Sequence, residues 1–238
     1  MLPLKDDIPS QRTPVVTLAL IGANVLVFFY QLSLSVSGDP GSAHAAEQLV
    51  MDFGAMPCRL TGACRAADEF PHPALTVFTS MFLHGGLVHV GGNMLYLWIF
   101  GDNVEDALGH GRFALFYLAS GVAAAWGQTL VNPSSSVPMV GASGAISGVL
   151  GAYLLLFPYA RILTLITFGF FIRFVYIPAI VVLGFWIVLQ FFAGLAAFSV
   201  ASGPGRETGG VAWFAHVGGF VVGIALLFVL RPRRGRRL

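Results

Sequence analysis

Charged residues are scarce in this sequence. Only 10% of its 238 residues are Asp, Glu, Lys or Arg, whereas 56% are hydrophobic, and the mean hydropathy is +0.80. A soluble domain carries about 25% charged residues, so this chain could not cover a water-facing surface with polar groups. The composition therefore excludes an ordinary soluble protein and indicates a polytopic membrane protein.

Strand-like alternation is also missing from the long apolar runs, which favours membrane helices over a membrane barrel. Most of the runs match the ~20 residues that a helix needs to cross the hydrocarbon core. The six runs cover approximately residues 15–34, 79–100, 113–131, 143–157, 174–197 and 211–230. We therefore predict an all-α fold, a bundle of six transmembrane helices over residues 15–230. An N-terminal segment of residues 1–14 precedes it, a long external loop covers residues 35–78, and a basic tail follows at residues 231–238.

The basic residues predict the orientation of the bundle. The tail Arg231-Pro232-Arg233-Arg234-Gly235-Arg236-Arg237 directly follows the sixth run, and such a basic block is typical of a cytoplasmic segment. Six crossings then place the N-terminus in the cytoplasm as well. Of the 13 lysines and arginines, only Arg59, Arg65 and Arg206 fall outside under this topology. We interpret the tail as a topology signal and not as a lipid or nucleic-acid site.

The first apolar run has a second interpretation, a signal peptide cleaved near Ala43-His44-Ala45. The run is longer than the core of a usual signal peptide, and Asp6 and Asp7 dilute the positive charge before it. Retention as a membrane helix is therefore favoured.

Cysteine is rare as well, and both cysteines lie in the external loop. Cys58 and Cys64 are separated by five residues. An external loop in an oxidising compartment favours a disulfide between them. Free thiols and a metal site are the alternatives, but two cysteines supply only half of a tetrahedral zinc shell. We expect the disulfide, no metal and no cofactor.

A few polar side chains interrupt the apolar runs. The second run contains His84, His89 and Asn93, and the last two are four residues apart and so share one helix face. Ser143 begins the fourth run, and His216 lies in the sixth. Polar and ionisable groups inside a membrane are costly, so they are candidates for a functional site.

These side chains are expected at similar depth. At the helical rise, His216 lies about 8 Å and His89 about 15 Å below the outer surface. The fourth run is only about 27 Å long, shorter than a bilayer with its headgroups, so Ser143 should also start below the surface. We predict a wet pocket in the outer half of the membrane.

The pocket has the groups that acyl transfer requires. A serine hydroxyl needs a base, and no Asp or Glu lies inside any of the six runs to complete a triad. The simplest hypothesis is a dyad, with Ser143 as nucleophile and His216 as general base. His89, Asn93 and the backbone N–H of Ser143 could stabilise the oxyanion. Each residue also has an alternative role when it is considered alone. The small residues around Ser143 could allow close helix packing, and His216 could be a structural histidine. His89 with Asn93 could form a proton or ion relay.

Taken together, the motifs resemble the rhomboid family of intramembrane serine proteases, in its basic six-helix bacterial form. They follow one another in the family's order between about residues 78 and 230. The matching residues are His84-x4-His89-x3-Asn93, Gly101-Asp102-Asn103-Val104-Glu105-Asp106 with Gly109-His110-Gly111-Arg112-Phe113, Gly141-Ala142-Ser143-Gly144, and Ala215-His216 followed by Gly219 and Gly223.

The resemblance implies an enzyme that cleaves single-pass or other transmembrane proteins within or next to their membrane segment. It assigns the nucleophile to Ser143, the base to His216, and the oxyanion contacts to His89, Asn93 and the Ser143 N–H. It also implies an integral protein of the bacterial inner membrane, with an active site open to the external face and a mobile gate near the fifth helix. Structural support is implied for His84, Gly141, Gly144, Gly219 and Gly223.

One departure concerns the residue four positions after the nucleophile, where many family members carry an aromatic side chain and this chain has Ser147. Two other functions remain as alternatives, a non-catalytic rhomboid-like protein that binds membrane proteins, and a transporter that uses the histidines. The retained serine and histidine favour the protease, and the missing intramembrane acids disfavour a transporter.

Overall fold

The fold is a bundle of helices with one small sheet. A computed structural model describes residues 1–36, 42–64, 71–168, 171–201 and 211–232. The helices are α1 (Val15–Val36), α2 (Ser42–Phe53), α3 (Pro57–Thr61), α4 (Pro73–Thr79, continued by a 3-10 turn, Ser80–Phe82), α5 (Leu87–Leu108), α6 (His110–Val131), α7 (Ser143–Leu156), α8 (Ala179–Ala201) and α9 (Trp213–Leu230). The strands are β1 (Leu2–Lys5), β2 (Arg161–Phe168) and β3 (Phe171–Pro178).

The predicted helical membrane bundle is confirmed, with differences in detail. Within the described residues, α1, α6, α8 and α9 are long and apolar enough to cross a membrane. The pair formed by α4 with its 3-10 turn and α5 also qualifies, although it is bent by 83°. The remaining predicted segment, the fourth along the chain, is helix α7, which has only 14 residues.

Helix α7 lies at the centre of the bundle and packs on α5, α6 and α9. Its side chains Val149, Leu150 and Tyr153 are fully buried. By contrast, helices on the outside expose large apolar side chains such as Phe192 and Phe228, as expected for contact with lipid. The protein is therefore an integral membrane protein whose shortest apolar helix is shielded from the bilayer by its neighbours.

The predicted bounds of the second helix were wrong at both ends. The helix starts at Leu87 and not near residue 79, and it continues to Leu108 instead of ending near residue 100. Gly86 has φ 153° and Gly109 has φ 81°, backbone conformations that residues with a Cβ rarely adopt. These two glycines interrupt the chain direction, which hydropathy alone cannot reveal. His89 therefore lies in the first turn of α5.

The longer α5 also contains acidic residues, which lie beyond the predicted apolar run and near the C-terminal end of the helix. Glu105 accepts hydrogen bonds from the backbone N–H groups of Val16 and Thr17, at 2.9 and 2.8 Å, and from the Thr17 hydroxyl at 2.7 Å. It thereby satisfies the free N–H groups at the start of α1. These acids lie at the end of α5 away from Ser143, so they cannot complete a triad.

The fifth predicted helix also began too early, because Phe174 to Pro178 belong to strand β3. The sheet is antiparallel in the order β1-β2-β3, and Arg161 of β2 pairs with Pro178 of β3. Pro178 biases the preceding residue, Ile177, toward extended backbone, and α8 begins directly after Pro178. The β-branched and aromatic residues of β3 raised the hydropathy of this stretch without forming a helix.

The N-terminal segment, residues 1–14, is tied to the bundle. Strand β1 pairs with β2, and Asp7 forms an ion pair with Arg161 at 2.8 Å. Hydrogen bonds from Arg161 lower the pKa of Asp7. Asp6 instead accepts hydrogen bonds from the Tyr153 hydroxyl at 2.6 Å and the Asn103 amide at 3.0 Å, and burial raises the pKa of Asp6 to about 6.

The loop between the first two membrane segments, residues 35–78, contains helices that brace the segment before Ser143. Cys58 and Cys64 are joined by a disulfide, and the Cys58 N–H donates to the Ser135 carbonyl at 3.0 Å. Ala55 and Met139 exchange backbone hydrogen bonds. Arg65, Arg206 and the tail beyond Pro232, on which the predicted orientation partly rests, lie outside the described residues.

Candidate active site

Ser143 and His216 are 73 residues apart in sequence and meet at the ends of two packed helices. Ser143 is the first residue of α7, and His216 lies in the first turn of α9. The distance between Ser143 Oγ and His216 Nε2 is 2.8 Å, and the histidine is buried. This geometry allows the serine hydroxyl to donate its proton to the ring nitrogen.

Glycines bring these two helices into backbone contact. A Cβ added to Gly219 would lie 2.1 Å from the Gly144 carbonyl oxygen, and one added to Gly223 would lie 2.3 Å from the Gly148 carbonyl oxygen. No side chain fits at either position, which is typical of close packing between membrane helices. The spacing of α7 and α9, and with it the serine–histidine distance, therefore depends on these glycines.

Asn93 is held by the residues that precede α5. Its Nδ2 atom lies 2.9 Å from His84 Nε2, and His84 Nδ1 lies 3.3 Å from the Phe82 carbonyl oxygen. Because a carbonyl only accepts, His84 carries its proton on Nδ1 and accepts from the Asn93 amide through Nε2. Gln31 of α1 bonds both the backbone N–H and the carbonyl of His84, at 2.9 and 3.2 Å. Gln31 was not among the predicted site residues, and its sequence signal is an amide near the end of an apolar run.

His89 presents a ring N–H toward Gly141. The Gly85 N–H donates to His89 Nδ1 at 3.3 Å, so the ring proton resides on Nε2. A Cβ added to Gly141 would lie 2.7 Å from that Nε2 and 3.4 Å from Asn93 Nδ2. The space over Gly141 is thus flanked by two side-chain donors. It also adjoins Ser143, whose backbone N–H has no intrahelical acceptor at the start of α7.

A second hydrogen-bond partner of His216 was not among the predicted site residues. Gln190 of α8 places its Oε1 atom 2.6 Å from His216 Nδ1. Like Gln31, it is an amide inside an apolar run, and such a group is costly to bury without a partner.

The position one turn after Ser143 lacks an aromatic side chain, and other elements supply aromatic contacts. Ser147 donates to the Ser143 carbonyl oxygen at 2.6 Å. The ring of His216 instead lies 5.8 Å from Trp186 of α8 and 6.4 Å from Trp213 of α9, measured between ring centroids. Both tryptophans are distant in sequence from Ser143, so spacing around the serine did not reveal them.

Ser143, His216 and several of the side chains around them face one cavity of about 960 Å³. It is bounded by α5, α7, α8, α9 and the segment before Ser143. Its lining includes Ser143, His216, His89, Asn93, Trp186 and Gln190. In the part of the chain that the structure describes, no group of three or more His, Cys, Asp or Glu side chains could hold a metal ion.

Comparison with known proteins shows which family the sequence is similar to. A family model described as Rhomboid domain matches residues 71–233. Rhomboid protein 1, mitochondrial, of Saccharomyces cerevisiae is 33% identical over 154 residues, which cover 63% of this chain and 40% of the yeast protein. Rhomboid protease GluP of Bacillus subtilis is 36% identical over 141 residues, covering 59% of this chain and 24% of the relative. Rhomboid-type serine protease 2 of Emericella nidulans is 32% identical over 160 residues, which cover 66% of this chain and 27% of the relative. The aligned region spans less than half of each of these relatives.

Proposed function

We propose that this chain, which belongs to the rhomboid family, is an intramembrane serine protease with a Ser143–His216 dyad. The observation that carries the proposal is the 2.8 Å contact between Ser143 Oγ and His216 Nε2, at the wall of a cavity that also holds two side-chain donors. The names of two relatives, a rhomboid protease and a rhomboid-type serine protease, support the same activity.

The geometry is suited to acyl transfer. Ser143 Oγ attacks the scissile carbonyl as His216 Nε2 takes the hydroxyl proton. The carbonyl oxygen becomes negative and is stabilised by the His89 ring N–H, the Asn93 amide and the Ser143 backbone N–H. His216 then returns the proton to the leaving amine. A water molecule, activated by the same histidine, hydrolyses the acyl-enzyme.

The proposed substrates are single-pass or other transmembrane proteins, and the proposed location is a bacterial inner membrane with both termini cytoplasmic. Two basic residues support the common side of the termini. Arg12 precedes α1 and Arg231 follows α9, yet both line a second pocket with Asp106 near the end of α5. That end of the bundle lies opposite the start of α7, so the large cavity would open to the external face.

The test is covalent labelling of the full chain in liposomes with a fluorophosphonate, together with cleavage of a model single-pass substrate. We expect wild type and the control Ser134→Ala, an exposed serine before α7, to label and to cleave. Ser143→Ala and His216→Ala should do neither, with a loss of at least ~10³-fold in rate. If Ser143→Ala cleaves as wild type does, the dyad is excluded. Substrate binding by wild type without labelling or turnover would instead favour the non-catalytic binder.

A further inference from the structure

Helix α8 supplies two contacts to His216, and the mechanism above uses neither. Trp186 and Gln190 are four residues apart on α8 and therefore lie on one face. Trp186 packs beside the imidazole ring, with 5.8 Å between centroids, and Gln190 Oε1 is 2.6 Å from its Nδ1 atom. Both side chains line the cavity. One face of α8 thus holds the ring of the base from the side away from Ser143.

The polar contact decides which ring nitrogen carries the proton. An amide oxygen only accepts hydrogen bonds, so His216 donates through an Nδ1–H group. In a neutral imidazole this leaves Nε2 without a proton. Nε2 is the atom that lies 2.8 Å from Ser143 Oγ, and only an unprotonated nitrogen there can accept the hydroxyl proton. The opposite tautomer would direct an N–H group at the serine and could not act as base.

We infer that Gln190 is a positioning residue, which keeps the proton of His216 on Nδ1 and aims Nε2 at Ser143. The inference rests on the proposed function for its catalytic consequence. A carboxylate would fill this place in a Ser-His-Asp triad. The neutral amide supplies the same orientation in a part of the membrane where a charge would be costly. The site is therefore a Ser-His-Gln arrangement assembled from three helices, α7, α9 and α8.

The first arm of the test reads the tautomer and does not depend on turnover. The full chain, labelled with 15N-histidine, is studied by NMR in detergent micelles, and His216→Ala identifies the signals of the base. We expect wild type to have a protonated Nδ1 and an unprotonated Nε2. Gln190→Ala should give a mixture of the two tautomers, whereas Gln190→Glu should retain the wild-type one. A single wild-type tautomer in Gln190→Ala would overturn the inference.

The matched control is Leu189→Ala, which removes a side chain of similar size from the next position of α8. Leu189 is 48% exposed and outside the lining of the cavity. We expect it to keep the wild-type tautomer and to unfold at the same temperature as Gln190→Ala. A tautomer change in Leu189→Ala would show that any perturbation of α8 has this effect, and would count against a specific role for the amide.

The second arm measures kinetics on the model substrate. For Gln190→Ala we expect kcat to fall about 10-fold, the factor that corresponds to about 1.4 kcal/mol and to one hydrogen bond, with KM little changed. Gln190→Glu should recover most of kcat. Because a carboxylate favours a charged imidazolium, the acid limb of its pH profile should move to higher pH. A fall in kcat that Glu does not rescue would contradict positioning.

The two arms separate the two proposals. If wild type hydrolyses no substrate, the proposed protease function fails, and the NMR comparison still decides whether Gln190 sets the tautomer. If wild type cleaves and Ser143→Ala does not, but Gln190→Ala retains both tautomer and kcat, the dyad stands and the role of Gln190 is refuted.

Discussion

The space over Gly141 offers the sharpest test of how the oxyanion would be bound. In Gly141→Ala the new methyl carbon would lie 2.7 Å from His89 Nε2 and 3.4 Å from Asn93 Nδ2. It would thus occupy the volume that the carbonyl oxygen needs, while leaving Ser143 and His216 chemically unchanged. Loss of one oxyanion donor costs about 10²–10³-fold in kcat, or roughly 2.7–4 kcal/mol. Since the methyl group meets two donors, we expect a loss at the upper end of this range.

A side chain at this position also strains the backbone, because Gly141 has φ 117°. Holding an L-residue there costs stability of about 1–3 kcal/mol. The matched control is Gly62→Ala, whose φ of 75° is also in the left-handed region and whose added Cβ meets nothing within 4 Å. Both variants should unfold at lower temperature than wild type, but only Gly141→Ala should lose activity.

The assay is initial rates of cleavage in liposomes, with thermal unfolding measured on the same samples. Activity is compared well below both unfolding temperatures, so that reduced stability does not lower the rate. Cleavage by Gly141→Ala within about threefold of wild type would refute the placement of the oxyanion between His89, Asn93 and Ser143. An equal loss in Gly62→Ala would attribute the effect to backbone strain.

Two further predictions concern stability. Gly223→Ala should lower the unfolding temperature by several degrees, since its Cβ would lie 2.3 Å from the α7 backbone and overpacking costs ~1–3 kcal/mol. The control Gly22→Ala should leave the unfolding temperature unchanged, because its Cβ would meet nothing within 4 Å. Equal unfolding temperatures for the two variants would contradict the close packing of α7 and α9. Asp6→Asn should be stabilising only at high pH. The pKa of Asp6 rises from 3.8 to about 6 on folding. The protonated carboxyl of Asp6 therefore stabilises the folded protein fully below pH ~4, and this stabilisation is lost as the pH rises through 6. Thermal unfolding from pH 4 to 8 should therefore show a growing advantage of the variant, about 1 kcal/mol at pH 8 after allowing for its partial exposure. A difference that does not vary with pH would contradict the raised pKa.

Hydropathy was sufficient to find the apolar helices of the bundle and insufficient to place their ends. The start of α7 at Ser143 was predicted, because a small-residue motif and an apolar run coincide there. The start of α5 was not, because the bend before Leu87 depends on the backbone angle at Gly86. Residues 174–178 of strand β3 were predicted as helix, since a continuous apolar stretch has no periodicity that separates strand from helix.

Some polar residues of the site could be predicted from the sequence, and others could not. Ser143, His216, His89 and Asn93 were candidates from sequence because a nucleophile, a base or a pair of donors in an apolar run is unusual. Gln190 was not, because an isolated amide has no motif, and only its 2.6 Å contact with His216 distinguishes it from a packing residue.

The sequence by itself determined the class of the protein. A low content of charge and long apolar runs require a membrane bundle, and ordered motifs indicate a family, because both depend on composition and local spacing. Only the tertiary structure decided which groups meet. The contact between Ser143 and His216 requires glycines on two helices to face each other, and the contact with Gln190 requires a third helix at the correct rotation. Such distances arise from packing between segments far apart in the chain, and no local pattern encodes them.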